Sequence, residues 1–429
     1  MKISKLTADS KKEFQELLAA RAMGSFPDLE EKVANILENV RTRGDEALFD
    51  YSREFDHFEL NKENIRVTEE EMEEAYNSLE PDFIRVLKDS AENIRAFHEK
   101  QKRISWIDTK EDGSILGQKF TPIEIVGLYV PGGKAAYPSS VLMNIVPAKV
   151  AGVEKIIMLT PPGQGGKVSP ATLAAAKIAG VDEVYRVGGA QAIAAMAYGT
   201  ESIPKVYKIC GPGNIFVALA KKAVYGRVSI DSVAGPSEIL VLADETANPR
   251  FVAADLLSQA EHDEMASAIL VTTSQELAEK VSKEVDAFTA VLSRKEIIEK
   301  SIERFGNIFV ADTMDMAINA VNEIASEHLE VLTKAPFEVL PKIKNAGAIF
   351  LGNYSSEPLG DYYAGPNHIL PTNGTAKFFS PLNVDDFVKK SSIIAYSEEA
   401  LRKVQDDIEL FANKEGLTAH ANSVHVRFE

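Results

Sequence analysis

Along the first hundred or so positions apolar residues are scattered among charged ones, and the segment reads as helices. Thr68, followed three residues later by Glu71, predicts a capping box in front of a helix over 72–79. Residues 87–100 read as a second helix. From about residue 123 the texture changes. Short runs rich in Val and Ile, at 125–130, 155–159, 183–187, 206–210 and 239–243, alternate with Ala-rich helical segments at 138–151, 169–179, 190–198 and 214–225. That alternation predicts βαβ units and a parallel sheet. Asn214 serves as a helix cap and Gly226 as a stop.

The pattern then resumes. A helix is expected over 249–262, with Asn248 as cap and Pro249 in its first turn. A strand over 268–272 and helices over 274–292 and 294–304 follow. Segments 307–310, 314–325, 329–332 and 348–351 continue the alternation, so two α/β blocks meet near residue 237. After Pro371 the alternation stops. Segments 385–390 and 397–413 and an extended piece to Phe428 form a tail too small to hold much core, which predicts packing on something else, such as another subunit.

Composition narrows the classes. The chain has 429 residues, with 47 Lys and Arg against 64 Asp and Glu, a net charge of −17. That acidity argues against nucleic acid as a partner, which needs clustered Lys and Arg. The length predicts two to four domains and allows a large core. The longest apolar stretches, as around 268–271, are too short for a membrane span. The start carries no cationic segment before an apolar run, so no secretory signal is expected. A lone cysteine, Cys210, excludes an intrachain disulfide and fits a reducing, cytoplasmic setting.

Several places could carry chemistry. Val187-Gly188-Gly189-Ala190-Gln191 and Cys210-Gly211-Pro212-Gly213-Asn214 each follow a strand and open a helix, where backbone N–H groups can hold a phosphate. Neither is a complete GxGxxG, since Phe216 holds the third position, and tight turns explain them equally well. Tyr129-Val130-Pro131-Gly132-Gly133 shares the ambiguity. Ser237, at the junction of the blocks, is a turn residue or a substrate contact.

Histidine placement is a sharper signal. His57 and His98 read as surface residues, and the other five stand beside potential ligands. Gln259 and His262 share a helix face with Asp255, while Leu256, Leu257 and Ala260 point to the core. That polar face is either a capping arrangement or a pair of metal ligands. Asp361 and His368 share a loop, 360–368, fixed by Gly365-Pro366. Glu415 and His420 lie in the tail. His425, between Val424 and Val426, reads as an outward strand residue. Imidazoles with a carboxylate suit zinc, although no HExxH is present.

Glu327 and His328, at a helix-to-strand turn, can face one cleft and serve as bases, or form a surface acidic–basic pair. Cys210 ends a strand before a helix N-terminus. It is either a nucleophile or a small buried apolar residue.

These pieces together resemble the histidinol dehydrogenase family. The resemblance rests on Leu256-Leu257-Ser258-Gln259-Ala260-Glu261-His262-Asp263, Ser326-Glu327-His328-Leu329, the two glycine segments above, and the run from Gly360 through His368 to Thr372. It extends from roughly residue 25 to the end. It implies oxidation of L-histidinol through L-histidinaldehyde to L-histidine, reducing two NAD, at the end of histidine biosynthesis. It implies one zinc per subunit, held by Gln259, His262, Asp361 and His420. His328 would be the general base for hydride transfer, and Glu327 would activate water. Ser237, His368 and Glu415 match substrate contacts, as do the zinc ligands and both bases. Tyr129, Gln191 and Asn214 match NAD contacts.

The fold implied is two Rossmann-like α/β domains of aldehyde dehydrogenase-like architecture, with a helical N-terminal region. The partition expected is an N-terminal segment 1–25, a first domain of 26–124 with 237–378, an NAD-binding domain 125–236, and a tail 379–429. The family is a homodimer whose tails exchange, so Glu415 and His420 would complete the partner's site. Against this stand an aldehyde dehydrogenase using Cys210, a zinc hydrolase using Glu327, and a non-catalytic two-lobed binding protein. Each explains only one motif.

Overall fold

The computed structural model describes residues 1–21, 27–132, 137–233 and 235–429. Gly133, in one of the motifs above, Ala234, and residues 22–26 and 134–136 lie outside the described residues. The chain divides into two compact units. One comprises Met1–Gln101 with Glu124–Phe387, and the other Lys102–Ile123 with Val388–Glu429.

In the first unit, strand β1 (Lys2–Lys5) precedes a run of helices. The capping box is present: Thr68 Oγ1 accepts from Glu71 N (3.2 Å), and Glu71 Oε2 accepts from Thr68 N (2.9 Å). In the second unit, β2 (Trp106–Thr109) and β3 (Ile115–Pro122) are antiparallel. The first unit continues with β4 (Ile125–Tyr129), β5 (Lys155–Thr160), β6 (Glu183–Arg186), β7 (Lys208–Cys210) and β8 (Ser229–Ile230). These pair in parallel in the order β6-β5-β4-β7-β8. The chain moves outward from β4 on one side and returns to β7 on the other. That is the switch point at which open α/β sheets bind ligands, beyond the carboxyl ends of the strands.

Strands β9 (Glu238–Ala243), β10 (Ser267–Thr272), β11 (Gly306–Val310), β12 (His328–Leu332) and β13 (Ala348–Leu351) form the larger sheet. Its order is β1-β11-β10-β9-β12-β13, parallel throughout. Helices cover both faces, which is why its central strands read as continuous apolar runs. Ile239, Val241 and Ala243 pack with Leu256, Leu257 and Ala260 on one face. Leu240 and Leu242 pack with Ile318 and Val321 on the other. β1 was not expected in a segment read as helical. Four residues are too few to show a period, and pairing with β11 supplies what the sequence does not.

In the second unit β14 (Val388–Ala395) zips antiparallel onto β3, and helices Glu398–Arg402, Gln405–Lys414 and Thr418–His425 follow. The tail therefore shares its sheet with residues 106–122 instead of standing alone from 379. Its last segment is helical where an extended piece was expected, so His425 is an exposed helix residue. Its buried apolar residues are small: Ala400, Ala412 and Ala421. Among the described residues no helix is long and apolar enough to cross a membrane.

Candidate functional site

The larger sheet gathers its polar residues at the amino ends of its strands. Glu238 opens β9, and His328, the first residue of β12, pairs with Ile239 beside it. The chain enters β12 through Ala325, at φ 54°, which turns Ser326 and Glu327 off the preceding helix Met314–Ile324. The helix Pro249–Ala260 runs back from the carboxyl end of β9, so its last turn and His262 return toward this edge. His262 N–H donates to Gln259 O (3.1 Å), just past the helix end.

Two acids lock the edge. Glu238 N–H donates to Glu327 Oε2 (2.9 Å), and Glu327 N–H donates to Glu238 Oε2 (3.2 Å). Glu238 Oε1 accepts from Asn373 N (3.0 Å). His328 Nδ1 stands 2.9 Å from Glu238 O, so Nδ1 is the donor and Nε2 is the outward end of the ring. Nε2 faces Glu357 Oε1 and Asp361 Oδ1, each at 3.9 Å. Glu357 and Asp361 are four apart on the short helix Glu357–Tyr362, hence on one face. Glu330, wholly buried on β12, accepts from Glu357 N (2.8 Å) and so fixes that helix. Ser258 Oγ donates to Glu357 Oε2 (3.0 Å).

So many acids in one dry place displace each other's protonation. Burial pushes Glu327 up to about 8, against the opposing pull of His328. Burial disfavours the His328 imidazolium, but Glu327, Asp361 and Glu357 outweigh it and raise the ring to about 10. Burial and then the Asp361 charge lift Glu357 to about 7. Burial also works against the Asp361 carboxylate. The nearby His328 ring and the charge of His368 override it and hold Asp361 at about 2. His262 is exposed at the rim, yet loss of solvent is still the main reason its pKa falls, with Asp361 opposing.

This donor set fits a zinc-like cation. His328, Glu357 and Asp361 each offer a ligand atom, all within 4.8 Å of one another, and of the expected ligands Gln259, His262, Asp361 and His420 this group contains only Asp361. Gln259 Nε2, His328 Nε2 and Glu357 Oε1 are buried and find no hydrogen-bond partner. A divalent charge would neutralise the field of the acids.

The expected residues divide as follows. Gln259 is buried, and Asp361 and His328 meet directly. Asp361 sits on a helix, not in the loop expected over 360–368. Ser356 precedes that helix and Pro358 fits its first turn, where the missing N–H is harmless. His368 does lie in a loop. Its Nδ1 is 3.1 Å from Asp361 O and its Nε2 is 3.3 Å from Ser140 Oγ. Ser237 is half-buried, immediately before Glu238. Glu415 and His420 belong to the second unit and are exposed there. His98, expected at the surface, is wholly buried, with Nδ1 on Ile94 O (2.7 Å). Glu238, Glu330 and Glu357 were missed. A signal existed for two of them: Glu357 lies four before Asp361, and Glu330 interrupts an apolar strand two residues after His328.

The glycine segments lie at the carboxyl ends of the smaller sheet. Tyr129 ends β4, and its hydroxyl accepts from Gly189 N (3.1 Å). Burial pushes that phenol up to about 12. Gln191 is buried on the helix Gly189–Tyr198. Asn214 Oδ1 caps the helix Ile215–Val224 through Phe216 N (3.1 Å) and Val217 N (3.2 Å). Cys210 is wholly buried between them, and burial drives its thiol pKa upward, with Lys208 only partly opposing. It is the small buried residue, not an activated thiolate.

Comparison with known proteins agrees along the whole chain. The family model for histidinol dehydrogenase matches residues 19–428. Histidinol dehydrogenase of Clostridium acetobutylicum is 58% identical over 421 residues, covering 98% of this chain and 97% of the relative. That of Caldanaerobacter subterraneus is 60% identical over 401 residues, covering 94% and 93%. The crystal structure of histidinol dehydrogenase from Elizabethkingia anophelis superposes with a TM-score of 0.94 at 37% identity, covering 100% of this chain and 98% of that one.

Proposed function

The chain belongs to the histidinol dehydrogenase family, and from that premise we propose that it oxidises L-histidinol through L-histidinaldehyde to L-histidine in the cytoplasm, passing two hydrides to two NAD. The observation that carries this reading is the buried Glu327–His328 pair, locked to Glu238 and facing Asp361 and Glu357.

His328 donates Nδ1–H to Glu238 O, and once a bound cation offsets the acids that raise its pKa, Nε2 is free to take the carbinol proton as the first hydride departs. Glu327 holds one oxygen on Glu238 N and keeps the other for a water. It takes a proton from that water as the oxygen adds to the aldehyde carbon. His328 returns the carbinol proton to the aldehyde oxygen as the diol forms, and takes it back from that hydroxyl as the second hydride leaves. Two bases are needed because one oxidation removes a proton and the next also requires hydration. Gln259, His262, Asp361 and His420 would hold zinc, with His420 and Glu415 supplied by the tail of the second subunit of a homodimer. Zinc held there would supply a Lewis-acid anchor for nitrogen donors of the substrate and would offset the acids around His328. Ser237 and His368 orient the substrate, and Tyr129, Gln191 and Asn214 hold NAD at the switch point of the smaller sheet.

The test is the absorbance of reduced nicotinamide with L-histidinol and NAD. Two equivalents of NADH per histidinol, lost on chelation and restored by zinc, support the scheme. One equivalent, or indifference to chelation, refutes the second oxidation or the metal role.

A further inference from the structure

Beneath the glycine turn after β7 lies a charged group that the proposed chemistry does not use. The side chains of Lys208, Lys221 and Asp231 are 5%, 3% and 5% exposed. Burying an ion pair is costly, and an apolar pair of similar volume is often neutral or more stable. What these side chains hold explains their presence. Gly211 N–H donates to Asp231 Oδ2 (2.8 Å), and Gly211 O accepts from Lys221 Nζ (2.9 Å). Lys221 is also ion-paired with Asp231. Two side chains and one residue's backbone thus close a ring. Lys208 Nζ reaches Ile230 O and Asp386 Oδ1, both at 3.3 Å, and so steadies the residue before Asp231.

The residue gripped in this way has no room to change. Gly211 sits at φ +116°, and a Cβ there would lie 2.0 Å from Tyr129 O. β7 ends at Cys210, so the backbone groups of Gly211 have passed beyond the strand ladder and need partners from elsewhere. The ring supplies both. Three residues further on, Asn214 caps the helix Ile215–Val224. The turn 211–214 therefore spans two proposed NAD contacts, packing on Tyr129 at one end and carrying Asn214 at the other.

We infer that Lys221 and Asp231 are positioning residues for the dinucleotide, locking the Gly211 backbone so that the turn to Asn214 is set before NAD arrives. The inference rests on the NAD assignment proposed above. Preorganisation of this kind improves affinity by removing the ordering cost from the binding step. It acts on the nucleotide and not on the amino alcohol, whose site is built on the other sheet.

The experiment compares wild type, Asp231→Asn, Lys221→Met and the double variant Lys221→Met/Asp231→Leu, with Asn214→Ala as a direct-contact control. NADH affinity is read by fluorescence titration, alongside KM for NAD, KM for histidinol, kcat and Tm. Each ring variant is expected to weaken NADH binding and raise KM for NAD by about tenfold, equivalent to roughly 1.4 kcal/mol, with KM for histidinol unchanged. The double variant removes the buried charges together, so it should fold even where a single one fails, and still bind NADH weakly. A fall in Tm with NADH affinity intact below the transition overturns the inference and leaves a purely structural pair. NADH binding weakened by Asn214→Ala but not by the ring variants overturns the inference alone. Wild type that binds no NADH overturns the NAD assignment and the inference together.

Discussion

Replacing Cys210 by alanine separates two chemistries that one sequence motif supports equally. An aldehyde dehydrogenase mechanism needs a thiolate able to attack the aldehyde carbon. An unperturbed thiol with a pKa near 8.5 is about a quarter ionised at pH 8, and each further unit of upward displacement removes roughly another tenfold. Cys210 is completely buried, burial pushes its pKa far up, and Lys208 and Lys221 recover only part of that. The thiolate is therefore negligible at any pH the enzyme meets. What Cys210→Ala removes is one buried sulfur in close packing, worth about 1–2 kcal/mol by analogy with small core truncations. In a chain of 429 residues that is a shift of at most about 2–4 °C in Tm. The expected result is kcat/KM for histidinol within about threefold of wild type, under 0.7 kcal/mol. Thiol labelling should be slow in the native protein and rapid in urea. Loss of about a thousandfold in kcat with Tm preserved, or rapid labelling of the native enzyme, refutes the reasoning and restores the nucleophile.

Glu327→Gln should spare the first oxidation and slow the second by about 10²–10⁴, the range of a general base. Trapping of histidinaldehyde and NADH per substrate falling from two equivalents toward one would report it, and equal loss in both steps would remove Glu327 from water activation. Asp56 tests linkage away from the site: burial lifts its carboxyl to about 6 with His57 weakly opposing, so ionisation there is unfavourable in the folded state. Its contribution favours folding below about pH 4, is lost as pH rises toward 6, and amounts to about 1–2 kcal/mol after allowance for partial exposure. Asp56→Asn should accordingly be more stable than wild type at pH 7.5 and equal to it near pH 4 in urea unfolding. The same difference at both pH values would count against it.

The parallel sheets were legible because burial on both faces writes strands as uninterrupted apolar runs, as in Ile239–Val241 with Leu240 and Leu242 between helices. Helix ends were legible where a side chain does the capping, as at Thr68 and Asn214. The elements that went unread are those made by pairing alone. β1 and β14 have no decisive period and exist because β11 and β3 present open edges. The sequence singled out Glu327, His328 and Asp361, which the structure brings together, but not the acids packed against them. Glu238, at the start of β9, reads as an ordinary strand-end carboxylate, while Glu330 is marked only by interrupting an apolar strand. Only the register reveals that Glu238 faces Glu327 and that Glu330 reaches the amide of Glu357.

That register also explains where the chemistry lies. In an open parallel sheet the carboxyl ends are the usual place for a ligand, and at that edge of the smaller sheet stand Tyr129, Gly189 and Asn214, of which Tyr129 and Asn214 are proposed above to hold NAD. The larger sheet places Glu238, Glu327 and His328 at its amino edge instead. The helix Pro249–Ala260 makes this possible, because it returns along the sheet and delivers Gln259, with His262 just beyond, to the edge where β9 and β12 begin. Both edges belong to one compact unit, joined by the short run from Asp231 to Glu238. Under the function proposed above, the hydride donor and the dinucleotide are assigned to opposite kinds of sheet edge. On that proposal each sheet would carry one partner at the edge of its strands.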